Sequence, residues 1–355
     1  MRLALPEAIS LLFTQSAEHL ILKGLDQLLH WAVVEHISDL HIEPLGQRVR
    51  IRVRVDGTLQ EIVSLPSRYA STLLSKMKML AHLDIAEKRL PQDGRFELHQ
   101  AEGVVNGRIS TCPTLYGEKA VLRLLALPET VLDLIELGMS AKQLEAVEKL
   151  IQSPHGLVIV TGPTGSGKTM TLYALLARLN TPEQNLISIE DPIEMVLPGL
   201  NQVQIQEKAG IEFKTLLRHL LRQDPDILMI GEIRDSETAE IAIKAAQTGH
   251  LVLSTLHTQS AAQALSRLQQ LGIPPYLVME TTRLVIAQRL VCRQGARGRI
   301  GIFEMLQLDA ALEAKLQQGQ SPERSDYIDG LDLHQAGRLK IAAGLTSLEA
   351  LQRVI

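Results

Sequence analysis

The chain has 355 residues, is 45% hydrophobic and carries a formal net charge of −4. This length predicts two domains rather than one. The acidic balance argues against a surface built for duplex DNA or RNA. Its two cysteines, Cys112 and Cys292, lie far apart and form no CxxC pair, which excludes a disulfide framework and a four-cysteine zinc site. We see no signal-peptide pattern and no apolar run that could span a bilayer, so we expect a cytoplasmic protein whose membrane association is peripheral.

The N-terminal third predicts a small α+β domain. We assign residues 1–19 to a short extension and residues 20–127 to the domain itself. Residues 20–37 have apolar side chains at helical spacing, and Arg48–Gly57 alternates apolar residues with arginines. That alternation predicts a half-buried strand with a cationic face, followed by a turn. Further strands are predicted at Gly94–Leu98, Val104–Ser110 and Glu118–Leu124.

The pattern changes after a predicted linker at residues 128–139. Ser140 is placed to cap an amphipathic helix that ends near Ile151. Beyond it, apolar strands alternate with helices, which predicts a parallel sheet covered on both faces. The strands are Leu157–Thr161, Leu186–Glu190, Ile227–Gly231 and Leu251–Thr255. We therefore predict an α/β fold with a RecA-like P-loop ATPase domain at residues 140–355, whose part beyond Gly272 is helical. The smaller domain that precedes it is α+β and PAS-like.

One octapeptide predicts a phosphate-binding loop. It follows an apolar strand, precedes a helix and matches G-x-x-x-x-G-K-[ST] at every fixed position. Its residues are Gly162, Pro163, Thr164, Gly165, Ser166, Gly167, Lys168 and Thr169. The glycines let successive N–H groups turn toward phosphate oxygens, and the helix N-terminus adds its positive end. Lys168 is expected to reach the β- and γ-phosphates of ATP, and Thr169 to bind Mg²⁺.

Three further strands deliver polar residues to the same edge of the predicted sheet. Glu194 closes an acidic run that follows the second strand, and Glu232 follows the third. We interpret Glu232 as the residue that polarises the attacking water, directly or through the Mg²⁺ shell, and Glu194 as a second catalytic acid. His257 leaves the fourth strand, where it can contact the γ-phosphate. Each of these side chains has a structural alternative: a solvated acidic loop or a satisfied histidine.

Arginines are the remaining candidates. Arg218 and Arg222 lie four residues apart and so on one helix face. In the first domain, arginines on candidate strands exceed what a small domain needs for solubility. Guanidinium groups stabilise the charge on a transferred phosphoryl group, and P-loop ATPases often take them from a neighbouring domain or subunit. We select Arg218 as catalytic, and Arg52 and Arg108 as nucleotide-binding donors; solvated surface charge is the alternative.

Together these segments resemble the GspE/PilB family of secretion ATPases. The resemblance is carried by the P-loop, Glu190–Glu194, Gly231–Asp235 and Thr248–Thr258, and it extends into the first domain through Ser38–Pro44. It implies an ATP-hydrolysing homo-hexamer that uses Mg²⁺, lies peripherally at the inner membrane and drives a platform protein during pilus or pseudopilus assembly. No direct nucleic-acid partner is expected.

Two points qualify this resemblance. Extending members commonly carry a four-cysteine zinc insert, whereas here Gln288–Cys292 passes almost directly to Gly298–Glu304, so no zinc is expected. Alternatives are a retraction motor of the same superfamily, a RecA-like nucleic-acid translocase and a scaffold that binds nucleotide without turnover. The 3% aromatic content argues against the translocase. Intact Lys168, Thr169 and Glu232 argue against the scaffold.

Overall fold

The computed structural model describes residues 3–15, 17–100, 103–124, 131–205, 213–318 and 320–355. The chain divides into two compact units, Met1–Leu127 and Pro128–Ile355. Residues 128–130 of the predicted linker lie outside the described residues. Across the ranges given above, no helix combines the length and apolar character that crossing a bilayer requires.

The first unit is an antiparallel sheet with helices packed on its apolar face. Its helices are α1 (Glu7–Thr14), α2 (Glu18–Val34) and α3 (Ala70–Leu80), and its strands are β1 (Asp39–Leu45), β2 (Arg48–Val55), β3 (Thr58–Pro66), β4 (Gln92–Gln100), β5 (Gly103–Thr114) and β6 (Gly117–Leu124). The strand order is β3-β2-β1-β6-β5-β4. Ile9 and Phe13 of α1 are buried in the core, so the segment at residues 1–19 contains a helix that belongs to this unit.

The opposite face of this sheet carries a cluster of ion pairs around one buried carboxylate. Glu43 of β1 is 6% exposed. It accepts two hydrogen bonds from Arg52, each of 2.8 Å, and it lies 3.0 Å from both Arg50 and Lys119. Burial alone would raise the pKa of this carboxyl, but the hydrogen bonds and charges of Arg52 and Lys119 outweigh it and lower the pKa to about 2. The alternation predicts a face of β2 that carries arginines, and Glu43 of β1 neutralises part of their positive charge.

The second unit is a three-layer α/β structure. Its strands are β7 (Gly156–Thr161), β8 (Leu186–Glu190), β9 (Asn201–Gln204), β10 (Ile227–Ile230), β11 (Leu251–Leu256), β12 (Thr282–Cys292) and β13 (Arg299–Gln307). Its helices are α4 (Leu134–Leu137), α5 (Ala141–Ile151), α6 (Lys168–Leu179), α7 (Phe213–Leu220), α8 (Ser236–Gln247), α9 (Ala261–Gln270), α10 (Pro275–Thr281), α11 (Ala310–Gln317), α12 (Leu333–Ala342) and α13 (Leu348–Gln352). The strand order is β13-β12-β7-β11-β10-β8-β9, and every pair is parallel except β12 with β13.

Alternate residues of the central strands enter two different cores. Leu157 and Ile159 of β7 pack into the core on one side of the sheet, and Val158 and Val160 pack into the core on the other. All six residues of β7 and of β11 are buried. The prediction of a parallel sheet covered on both faces, from continuous apolar strands, is confirmed.

The prediction that the chain becomes helical beyond Gly272 agrees with helices α10 to α13 but is wrong for residues 282–307. This part contains β12 and β13, two long strands that extend the sheet. Nearly all of β12 is buried, including the polar residues Gln288 and Arg289, so its sequence is a mostly apolar run that does not alternate. Such a run is compatible with a buried helix or a buried strand, and its pairing with β7 decides for the strand.

The segment at residues 131–139 is part of the second unit. Asp133 and Glu136 form a capping box for α4, and Leu134 of that helix is fully buried in the core that contains α6. Ser140 caps α5, as predicted, and its box partner is Gln143. Removing residues up to Ser140 would therefore expose part of this core.

Glu43→Gln should destabilise the first unit by roughly 2 kcal/mol, because it leaves three half-buried cations without their buried counter-charge. The pKa of Glu43 lies below its ordinary value, so its contribution is complete above pH 4.5 and is lost as the pH falls toward 2. The difference between wild type and variant should shrink over that range. Urea unfolding followed by the fluorescence of Trp31, the one tryptophan, reports on this unit.

Glu61→Gln is the matched control for this substitution. The Glu61 side chain is 39% exposed and lies 3.8 Å from Arg48 and 3.9 Å from Arg50, so the loss of these solvated pairs should cost less than about 1 kcal/mol. Equal destabilisation by the two variants, or a pH-independent effect at Glu43, would contradict the role of the buried cluster.

Candidate nucleotide-binding site

The P-loop connects β7 to α6 through three glycines in the left-handed region. Gly162, Gly165 and Gly167 have φ values of +151°, +80° and +90°. A Cβ on Gly162 would lie 2.5 Å from the carbonyl oxygen of Gln288, and one on Gly167 would lie 2.8 Å from the Gln288 amide nitrogen. Only glycine fits at these two positions, because β12 closes the space behind the loop.

The loop presents an uncapped helix N-terminus. Gly167 is the N-cap of α6, and no side chain caps the helix. Space around the position of a Gly165 Cβ is open. Backbone N–H groups at such an end carry partial positive charge and bind phosphate oxygens. The residues present therefore fit a nucleotide phosphate chain.

Lys168 lies folded over this loop. Its Nζ donates to the carbonyl oxygens of Gly162 at 2.9 Å and Pro163 at 3.3 Å. Burial lowers the pKa of Lys168, the charge of Arg289 lowers it further, and the carboxylate of Glu232 opposes both. An additional anion near the ammonium would relieve the desolvation that burial imposes.

Glu232 and His257 meet beside the same lysine. Glu232 follows β10 and His257 follows β11, and Glu232 Oε1 lies 3.3 Å from His257 Nε2. The other carboxylate oxygen, Oε2, accepts a 2.9 Å hydrogen bond from Arg234. Burial and the charge of Lys168 lower the pKa of His257, while Glu232 raises it in part. Lys168, Glu232 and His257 thus come together from three different strand ends.

The loop that carries His257 is fastened to the end of β7. The N–H of Thr258 donates to Thr161 Oγ1 at 2.9 Å, and the two threonine hydroxyls are 2.8 Å apart. Thr161 directly precedes the P-loop, so the loop that carries His257 is anchored at the residue from which the P-loop begins.

The acidic residues at the end of β8 and in the loop that follows it differ in burial. Glu190 is 3% exposed and accepts hydrogen bonds from Tyr173, Ser188 and Gln202 inside the fold. Glu194 is half-buried in the following loop, and its backbone N–H donates to the Tyr173 hydroxyl at 3.2 Å. Glu194 therefore remains the candidate acid of this segment.

The arginine candidates have partners of their own. Arg218 of α7 is exposed and pairs with Glu237 of α8 at 2.8 Å. Arg52 is bonded to Glu43, as described above. Arg108 of β5 lies opposite Arg95 and Arg123 in the register of the sheet. The premise that the first unit has arginines with no structural partner is therefore wrong for Arg52.

Two polar residues that the sequence analysis left without a role lie behind the loop. Gln288 accepts a 2.7 Å hydrogen bond from Thr171 of α6. Arg289 donates to the carbonyl and side-chain oxygens of Gln259, at 2.8 and 2.6 Å, and to the carbonyl of Val354 at 3.2 Å. Both are at least 96% buried, since they are 1% and 4% exposed. Two adjacent polar residues inside an apolar strand were the signal available in the sequence.

The residues of this site fit a Mg²⁺ ion that a nucleotide would bring with it. Within the described ranges, no group of three or more His, Cys, Asp or Glu residues is placed to hold a metal ion. Mg²⁺ usually takes one or two protein oxygens together with phosphates and waters. Thr169, in the first turn of α6, and Glu232 offer a donor set of this kind.

Comparisons with known proteins agree with this geometry. A model of the family described as "Type II/IV secretion system protein" matches residues 14–353. The chain is 44% identical to type II secretion system protein E of Klebsiella pneumoniae, covering 94% of this chain and 76% of that protein. It is 42% identical to type II secretion system protein HxcR of Pseudomonas aeruginosa, covering 99% and 80%.

Solved structures give the same fold. The ATPase DotB of Legionella pneumophila superposes with a TM-score of 0.75 at 24% identity, covering 93% of this chain and 94% of DotB. The pilus retraction motor PilT, solved with bound ADP, superposes with a TM-score of 0.64 at 26% identity, covering 93% and 96%. The predicted α/β fold and the predicted resemblance are confirmed: the chain belongs to the type II/IV secretion system protein family and has the fold of its RecA-like ATPases.

Proposed function

We propose that this chain is an ATP-hydrolysing motor that acts as a homo-hexamer at the inner membrane. One observation carries the proposal: Lys168, Glu232 and His257 converge from three strand ends on an uncapped glycine-rich loop. Family membership supports it independently. These residue types favour chemistry of the phosphoryl-transfer class, with water as the acceptor.

The loop and its lysine bind the phosphates in this proposal. N–H groups at the start of α6 donate to phosphate oxygens, and the Lys168 ammonium exchanges its carbonyl contacts for the β- and γ-phosphates. Bound Mg²⁺ would neutralise charge on those phosphates, with Thr169 and Glu232 as its protein-side ligands, directly or through water.

Glu232 orients the attacking water. Its carboxylate is fixed on one side by Arg234 and on the other by His257, so the oxygens have a defined direction. The lowered pKa of His257 favours the neutral imidazole, which accepts or donates one hydrogen bond at the γ-phosphate edge without adding charge. Glu194 supplies a second carboxylate from the neighbouring loop.

The proposed work is the assembly of a pilus or pseudopilus through an inner-membrane platform protein. The relatives at 44% and 42% identity are named as type II secretion proteins, which favours the assembly class. PilT, a retraction motor, is a structural neighbour at 26% identity. Retraction is therefore the second candidate.

Arginines from a neighbouring subunit complete the site in this proposal. The triphosphate transition state carries more negative charge than Lys168 and Mg²⁺ offset. Arg108 is the better donor, because Arg52 is already bonded to Glu43. Arg52 would need to exchange this carboxylate for phosphate.

Lys168→Ala should lower ATP turnover by about 100-fold or more, because it removes the cation that faces the phosphates. Phosphate release by the purified protein measures this. Lys149→Ala, an exposed lysine on α5 whose side chain is 69% exposed, is the control and should keep the wild-type rate. Wild-type turnover in Lys168→Ala would refute the site.

Glu232→Gln should lower kcat by about 100-fold and leave ATP affinity nearly unchanged, because the amide keeps the shape but loses the charge that polarises water. Turnover and equilibrium binding of a fluorescent ATP analogue are measured side by side. Glu240→Gln, an exposed glutamate of α8, is the control. Parallel loss of binding and turnover would assign Glu232 a structural role instead.

Arg108→Ala should lower kcat by roughly 10³-fold if the guanidinium acts as an arginine finger, and native mass spectrometry should still detect a hexamer. Arg89→Ala is the control, because its side chain is 88% exposed in the same unit. Mixing Arg108→Ala with Lys168→Ala should restore part of the activity, since each subunit supplies what its neighbour lacks. Mixed rings as inactive as either parent would contradict action across subunits.

A further inference from the structure

The hydroxyl of Tyr173 lies where the P-loop helix meets the loop that carries Glu194. Tyr173 is fully buried on α6. Its hydroxyl donates to Glu190 Oε2 at 2.5 Å and accepts the backbone N–H groups of Glu194 at 3.2 Å and Met195 at 3.4 Å. A single oxygen therefore joins helix α6, strand β8 and the acidic loop.

The direction of these hydrogen bonds is fixed by their surroundings. Glu190 Oε1 accepts from Ser188 Oγ at 2.6 Å and from Gln202 Nε2 at 3.1 Å, so the carboxylate is held as an acceptor on both oxygens. Burial, reinforced by Glu190, raises the pKa of Tyr173, which keeps its proton in place. The one phenol proton goes to Glu190, and the lone pairs remain for the loop N–H groups.

The rest of the loop has separate supports. Gln202 of β9 donates to the carbonyl of Met195 at 2.9 Å and accepts the N–H of Leu197 at 2.7 Å. The N–H of Ile193 donates to Gln204 at 3.3 Å. Loss of the tyrosine oxygen would therefore free the backbone at Glu194 and Met195 without releasing the whole loop.

Helix periodicity relates the position of this hydroxyl to that of the P-loop. Thr169 and Tyr173 are four residues apart on α6 and share one helix face. The proposed Mg²⁺ ligand and the hydroxyl that fixes Glu194 are thus set by the same rigid turn. The buried hydrogen bonds of the Tyr173 hydroxyl fix the distance between the Glu194 loop and helix α6 more closely than a solvated side chain could.

We propose that Tyr173 is a positioning residue, which sets the place of Glu194 relative to the P-loop through its hydroxyl. This inference rests on the proposed function, because it assigns Glu194 a task in hydrolysis. Tyr173 touches neither nucleotide nor water in this role. It acts through the backbone of Glu194.

Tyr173→Phe tests the inference, because phenylalanine fills the same buried volume and removes only the oxygen. We expect kcat to fall about 10- to 100-fold with KM for ATP nearly unchanged, as misplacement of a catalytic group does. Hydrogen exchange of the peptide at residues 191–198 should become faster in the nucleotide-free protein. Tyr327→Phe, a half-buried tyrosine of the same unit, should change neither quantity.

A double-mutant cycle separates positioning from simple loss of stability. In a Glu194→Ala background, Tyr173→Phe should lower kcat by less than twofold, because the carboxylate that it positions is gone. An undiminished effect in that background, or unchanged exchange at residues 191–198, overturns the inference. Wild-type turnover in Lys168→Ala would instead refute the proposed function. Loss of turnover in Lys168→Ala and reduced but measurable turnover in Glu194→Ala, together with wild-type kcat in Tyr173→Phe, would refute only the role of Tyr173.

Discussion

The nucleotide site depends on how closely β12 approaches the P-loop. The Gln288 carbonyl and amide occupy the space that side chains at Gly162 and Gly167 would need. β12 is fixed there by its parallel pairing with β7, and Gln288 is bonded to Thr171 on the P-loop helix. The curvature of the loop is thus imposed by the sheet behind it. Because the sheet already fixes the shape of the loop, the loop loses little conformational entropy when phosphate binds, and this favours binding.

The parallel strand order places the candidate site residues at one edge of the sheet. β7, β10 and β11 end side by side, so the residues that follow them are neighbours although they are far apart in sequence. The sequence predicted this gathering, because each polar residue follows an apolar strand. It could not predict which acid of the Glu190–Glu194 run faces inward. Ser188 and Glu190 alternate onto one side of β8, and only the packed Tyr173 and Gln202 make that side a buried polar pocket.

Two predictions from the sequence are wrong for the same physical reason. In both, the structure depends on partners from strands that are distant in the sequence. The β12 segment is mostly apolar and does not alternate strictly, so its own pattern does not distinguish a helix from a strand, and the pairing with β7 and β13 identifies it as a strand. The arginines of β2 alternate as predicted, yet their counter-charges come from β1, whose register places Glu43 beside them. Periodicity reveals which residues share a face but not what lies opposite.

The buried guanidinium of Arg289 links the loop after His257 to the C-terminal segment. Arg289 holds Gln259, two residues after His257, and also the carbonyl of Val354 near the C-terminus. Burial is the main cause of the lowered pKa of Lys168, and the charge of Arg289 lowers that pKa further. Because Arg289 is 4% exposed, water screens this interaction far less than it would at the surface. One buried side chain therefore contacts both the loop after His257 and the C-terminal segment and also acts electrostatically on Lys168, and it is adjacent to Gln288, which closes the loop from behind.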